Sequence, residues 1–160
     1  DIPTTVYKAC ISAMSMDVWM INIHLSGGIN MSLAAQKAKI ECQSSCKLIG
    51  VTVLTSLSDD DCLQIYGCTR QQQLAKFKKF AIEADLDGFV CSPYDIEVLE
   101  HKDKIYVTPG IRIDNDSHDH AKIIKPETAI ELGSSYLVIG RSITNSISPN
   151  NVIQEIMKVL

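Results

Sequence analysis

Two segments of this 160-residue sequence end in the same way. Val107-Thr108-Pro109-Gly110-Ile111-Arg112 is a strand-like run that closes on a Pro-Gly turn with an arginine just beyond it. Tyr136-Leu137-Val138-Ile139-Gly140-Arg141 is an apolar run that closes on glycine and then arginine. Glycine lets a backbone N–H approach an anion closely. Arginine adds a planar fork that matches phosphate oxygens. Together, at the ends of the last two strands, Arg112, Arg141 and the backbone of Gly140 predict a phosphate grip. Taken singly, each arginine also reads as an ordinary solvated charge.

Other chemistry-bearing residues carry two readings. Asp1, ahead of Ile2-Pro3, is a natural helix cap. Asp59-Asp60-Asp61 fits a solvated loop or a helix cap better than a metal site. His24 near a strand end reads as packed and hydrogen-bonded, and Trp19 and Met20 as core. Ser26 shapes a turn, because no base partner is placed beside it by sequence.

The elements that must carry these residues alternate regularly. Residues 3–16 read as a helix with Pro3 in its first turn, and Val6, Ala9, Cys10, Ala13 and Met16 keep helical spacing. Val18–His24 reads as a strand ending at Ser26-Gly27-Gly28, followed by a helix over 31–41. Lys47–Thr55 is nearly all apolar and rich in β-branched residues, which reads as a strand buried on both faces. A polar segment at 57–69 leads to a helix over 71–84 with Leu74, Phe77, Ala81 and Ala84 on one face. Asp87–Cys91, Ile105–Thr108 and Tyr136–Ile139 complete the strands. A short helix over Pro126–Leu132 stops at Gly133. Ser148 and Pro149 open a last helix.

Buried strands alternating with helices imply a parallel sheet. Polar and glycine-rich residues gather after the strands, at the face where a (β/α)8 barrel places its active site. Five strands do not close such a barrel, which takes roughly 200–250 residues; a doubly wound open sheet is the structural alternative. The fold expected is α/β, with residues 1–160 forming a single domain.

Composition narrows the function. The net charge is -4, which argues against a nucleic-acid partner. No apolar run approaches the roughly 18 residues needed to span a bilayer, and the N-terminus does not read as a signal peptide. The six cysteines form no C-x-x-C pair, so reduced cytoplasmic thiols are expected rather than a disulfide framework or a zinc site.

The pieces DIP-T-T, VWMINIH-SGG, VTVLTS, DGFVCS, VTPGIR and YLVIGRSIT occur in this order over almost the whole chain. In this the sequence resembles the orotidine 5'-phosphate decarboxylases. The resemblance implies a (β/α)8 TIM barrel, a homodimer with active sites shared across the interface, and no cofactor or metal. It implies loss of CO2 from C6 of orotidine monophosphate to give UMP in pyrimidine biosynthesis. The five strands here correspond to strands four to eight of that barrel, an incomplete one.

The site residues are carried over by position. Asp1 matches the last Asp of the family's D-x-K-x-x-D-I-P motif, donated across the interface; Thr5 matches the threonine donated with it near the ribose. Thr4 stands where many members have Asn. Thr55, with Ser56 beside it, matches the pyrimidine contact. Arg112, Arg141 and the Gly140 backbone match the phosphate grip. Members usually have Gly-Asp-Gln between the arginines, the Gln reaching the phosphate; here the residues are His118-Asp119-His120. His120 reads either as a substitute donor or as a solvated loop residue.

The motif's lysine is not among these 160 residues, so the chain alone is expected not to be a competent decarboxylase. The alternatives are an enzyme like 3-keto-L-gulonate 6-phosphate decarboxylase, which needs Mg2+, and a non-catalytic fragment that binds nucleotide phosphate. Exposed edges of an incomplete barrel are also expected to favour self-association.

Overall fold

A computed structural model describes residues 1–113 and 124–160. Five strands form one sheet: β1 (Met20–His24), β2 (Lys47–Val51), β3 (Gly88–Val90), β4 (Ile105–Pro109) and β5 (Tyr136–Val138). They are hydrogen-bonded in sequence order, and every neighbouring pair is parallel. All five C-terminal ends therefore lie along one edge.

The helices are α1 (Pro3–Met14), α2 (Ile29–Glu41), α3 (Asp59–Tyr66), α4 (Arg70–Glu83), α5 (Ile96–Leu99), α6 (Pro126–Glu131), α7 (Arg141–Thr144) and α8 (Pro149–Met157). The main core lies on the helix side of the sheet. Leu48, Phe89 and Tyr106 project there against Leu74, Phe77 and Ala81 of α4 and Ala35 and Ala38 of α2. Phe89 and Tyr106, register partners on β3 and β4, stack at 6.0 Å. The side chain of Asp87 joins the sheet to α2: one carboxylate oxygen accepts from the Leu48 N–H at 2.7 Å and from Lys39 Nζ at 2.5 Å.

Strand side chains alternate between faces, so Ile49, Val51 and Val107 occupy the opposite face, where they are buried. At the outer strands that face opens, and Tyr136 and Val138 are 43% and 48% exposed. The sheet is strongly curled. Trp19, just ahead of β1, meets Tyr136 of β5 edge-on with ring centroids 5.0 Å apart. Strands spaced at ~4.8 Å would leave the outermost pair of a flat five-stranded sheet about 19 Å apart. The two rings meet because the open sheet follows a barrel wall.

Several sequence expectations change. The polar segment 57–69 contains α3, whose Ser58 Oγ accepts from the Asp61 N–H while Asp61 Oδ2 accepts from the Ser58 N–H. This reciprocal cap explains the acidic run. Trp19 is not core: it is 57% exposed on the open face. His24 is exposed rather than packed. Asp1 does not cap α1; Ile2 holds that position, and Asp1 Oδ1 accepts from the Ile2 N–H at 2.9 Å. Ser148 stands at the start of α8, but its side chain makes no capping bond. Gly133 ends α6 as expected, with φ +99°.

Candidate active site

The two arginine-bearing segments are neighbours. β4 and β5 pair with Val107 opposite Tyr136 and Pro109 opposite Val138. Arg112 lies three residues beyond Pro109, and Arg141 three beyond Val138. Both arginines thus follow the C-terminal ends of one pair of neighbouring strands. Gly110 turns the chain with φ +81°, a conformation that suits glycine. The segment is then fixed from behind: Ile111 bridges to Ile124, and the Arg112 N–H donates to Ile124 O at 3.0 Å. Gly140 stands immediately before α7, and the space a Cβ would fill there is open. Arg112 is half-buried and Arg141 exposed.

Thr55 and Ser56 follow β2 at the same edge of the sheet, both exposed. Past the strand, Thr52 still follows the ladder, with its N–H and Oγ1 donating to Val90 O at 3.0 and 2.9 Å. The next four residues leave it as a loop. One arginine absent from the sequence reading holds that loop. Arg70 donates from Nε and Nη2 to the two oxygens of Asp95 at 3.1 and 2.6 Å, and from Nη1 to Leu54 O and Leu57 O, each at 3.3 Å. Arg70 opens α4, and Asp95 ends a 3-10 turn after β3. They lie 25 residues apart, so no local spacing announces the pair.

Burial disfavours the Arg70 cation, but the hydrogen bonds and charge of Asp95 more than offset this and its pKa is raised. The pKa of nearby Cys91 is raised as well, which for a thiol favours the neutral form: burial, then the Asp95 charge, pushes it up to about 12. Cys91 is therefore a neutral packing group at neutral pH rather than a nucleophile.

Asp1 and Thr5 stand exposed at the start of α1. Asp1 lines a cavity of about 540 Å3 between α1 and the end of β1, together with Cys10, His24, Ser26 and Met31. Neither Arg112 nor Arg141 borders that cavity. The structure thus gathers Thr55, Ser56, Arg112 and Arg141 along one edge of the sheet and places Asp1 at the β1 end of it. His120 lies outside the described residues.

The chain is similar to known proteins along its length. Residues 1–156 match the model of the family described as "Orotidine 5'-phosphate decarboxylase / HUMPS family". The orotidine 5'-phosphate decarboxylase of Actinobacillus pleuropneumoniae serotype 5b is 44% identical over 162 residues, covering 98% of this chain and 70% of that protein. That of Pasteurella multocida is 42% identical with the same coverage. Among solved structures, the orotidine 5'-phosphate decarboxylase of Lactobacillus acidophilus superimposes with a TM-score of 0.81 at 32% identity, covering 99% of this chain and 70% of that one. An uncharacterized conserved protein of Geobacillus kaustophilus gives 0.80 at 27% identity, covering 99% and 71%. With five parallel strands curled as a barrel wall and this match across 1–156, the chain belongs to the orotidine 5'-phosphate decarboxylase / HUMPS family.

Proposed function

We propose that the function of this chain is that of the orotidine 5'-phosphate decarboxylases, carboxy-lyases that bind orotidine monophosphate and release CO2 from C6 to leave UMP, with residues 1–160 supplying phosphate and base contacts but not the motif's lysine, so that they do not turn over substrate alone. The observation that carries this reading is the register of β4 and β5, with Arg112 and Arg141 each three residues beyond the paired residues Pro109 and Val138. Two guanidinium forks and the Gly140 N–H suit a phosphate dianion. The Thr55–Ser56 loop, two strands away in the same sheet, meets the pyrimidine ring. The phosphate is remote from C6, so its binding energy can hold the reacting carbon in place.

Asp1 is the carboxylate for the reacting end, and Thr5 the ribose contact. Both act in a partner's site within a homodimer, which fits their exposure at the start of α1. The reading calls for no cofactor, no nucleic acid and no membrane, and places the protein in the cytoplasm. No helix among the described residues is long and apolar enough to cross a membrane. The relatives named above carry the orotidine activity in their names, which counts against the gulonate-phosphate alternative.

The test is UMP binding by calorimetry, with Arg141→Ala as control. Binding by the unaltered chain that falls about 30-fold or more in the variant supports the grip, because an arginine hydrogen-bonded to an anion contributes about 2 kcal/mol or more. Equal affinity in the two would sink the assignment of Arg141.

A further inference from the structure

Thr55 and Ser56 are bracketed by two carbonyl groups, those of Leu54 and Leu57. One nitrogen, Arg70 Nη1, donates to both at 3.3 Å. The other side of the same guanidinium is engaged on both oxygens of Asp95, at 3.1 and 2.6 Å. Asp95 is only 6% exposed and sits in the turn that follows β3. Arg70 is the first residue of α4, and the start of that helix is fixed by a reciprocal cap between Thr69 and Gln72. A single planar group thus ties the loop after β2 to the start of α4 and to the end of β3.

We propose that Arg70 is a positioning residue for the pyrimidine contact, setting where the Thr55–Ser56 loop stands over the strand ends. This rests on the reading of Thr55 and Ser56 as that contact. The Leu57 N–H closes the loop on itself by donating to Leu54 O at 3.1 Å, but both flanks take their side-chain donor from one nitrogen, so losing it unties the closed loop from α4 and from the end of β3 at once. The geometry requires arginine: its rigid fork serves two carboxylate oxygens and two carbonyls together. Lysine offers three donors from one point and cannot span both sides. Arg70's contacts described here lie after β2 and β3, whereas the phosphate arginines follow β4 and β5. Its removal should therefore weaken recognition of the base and spare recognition of the phosphate.

Calorimetry with UMP and with ribose 5-phosphate separates the two. The proteins to compare are the unaltered chain, Arg70→Lys, Arg70→Gln, Thr55→Val and the Arg70→Lys/Thr55→Val double variant. Arg70→Lys is expected to lower UMP affinity about tenfold, the effect of losing roughly one charge-assisted hydrogen bond, with ribose 5-phosphate affinity held within about twofold. In the Thr55→Val background the same change should cost little more, because residues acting through one contact are not additive. Unchanged UMP affinity, equal losses for both ligands, or fully additive losses would each overturn the proposal. Should Arg70→Gln melt below the titration temperature, the Arg70→Lys pair decides. Failure of the unaltered chain to bind UMP would overturn the base-contact reading itself, which the Arg70 variants alone cannot do.

Discussion

β2 and β3 lie over a core that draws on α1, α2, α4 and α5 and includes Leu48, Leu74, Phe77 and Phe89. β5 and the end of β4 rest on Ile111, Ile124 and Ala129, with Leu137 and Ile139 half-buried against them. The Thr55–Ser56 loop therefore stands on the deep side of the molecule, and Arg112 and Arg141 on the shallow side. The two sides hold their functional groups by different means. On the deep side, packing and the Arg70–Asp95 pair fix a loop that has left the ladder. On the shallow side, strand register sets the arginines, with backbone bonds such as Arg112 N–H to Ile124 O behind them. Stability and phosphate affinity should therefore be separable, since they depend on different residues.

The largest expected effect tests that separation directly. Phe89→Ala on the deep side should cost about 3–5 kcal/mol, from lost burial and the cavity left behind. Leu137→Ala on β5 is only half-buried and should cost about 1 kcal/mol, read by urea denaturation. Equal losses would erase the contrast between the two sides. Next, Arg141→Ala should remove about 2 kcal/mol or more of UMP binding while moving the melting midpoint by about 1 °C or less, because surface substitutions scarcely alter stability. A large fall in the midpoint would mean that the grip also holds the shallow side together.

A pH measurement sharpens the deep side. The Cys91 thiol is raised in the folded chain from 9.0 to about 12. Between those values the unfolded chain has lost the proton and the folded chain has kept it. Stability should therefore fall as pH rises from about 9 towards 12, and be unaffected by this group below about 9. Cys91→Ala should flatten that part of the profile; an unchanged slope would show that burial does not govern the thiol. The smallest effect expected is for Ser58→Ala. Losing the α3 cap, an exposed feature of the deep side, should cost about 1 kcal/mol by thermal melting.

Much of this was legible in the residues. Lys47–Thr55 reads as a doubly buried strand because it is nearly all apolar and rich in β-branched residues; β2 is buried as expected but stops at Val51, short of Thr55. Glycine with arginine close behind, at the end of each of two strands, marks Arg112 and Arg141 as candidates without any structure, since each signal is local to one strand end. Helix α3 went unread because its apolar face is short; the Ser58-x-x-Asp61 pattern was the signal that would have found it. Trp19 was misplaced because apolarity alone does not say which face of a curled sheet stays open. Arg70 and Asp95 were invisible for a different reason: their pairing depends on how β2, α4 and β3 are laid side by side.

The contact between Trp19 and Tyr136 has an optical consequence. The sequence contains one tryptophan, and its ring lies 5.0 Å from a tyrosine on the far edge of the sheet. Quenching and energy transfer between those two rings depend on the outer strands having come round to face each other. Helix formation alone does not produce that signal. The emission of Trp19 is thus a built-in gauge of sheet curvature, readable in dilute solution during refolding without any added label.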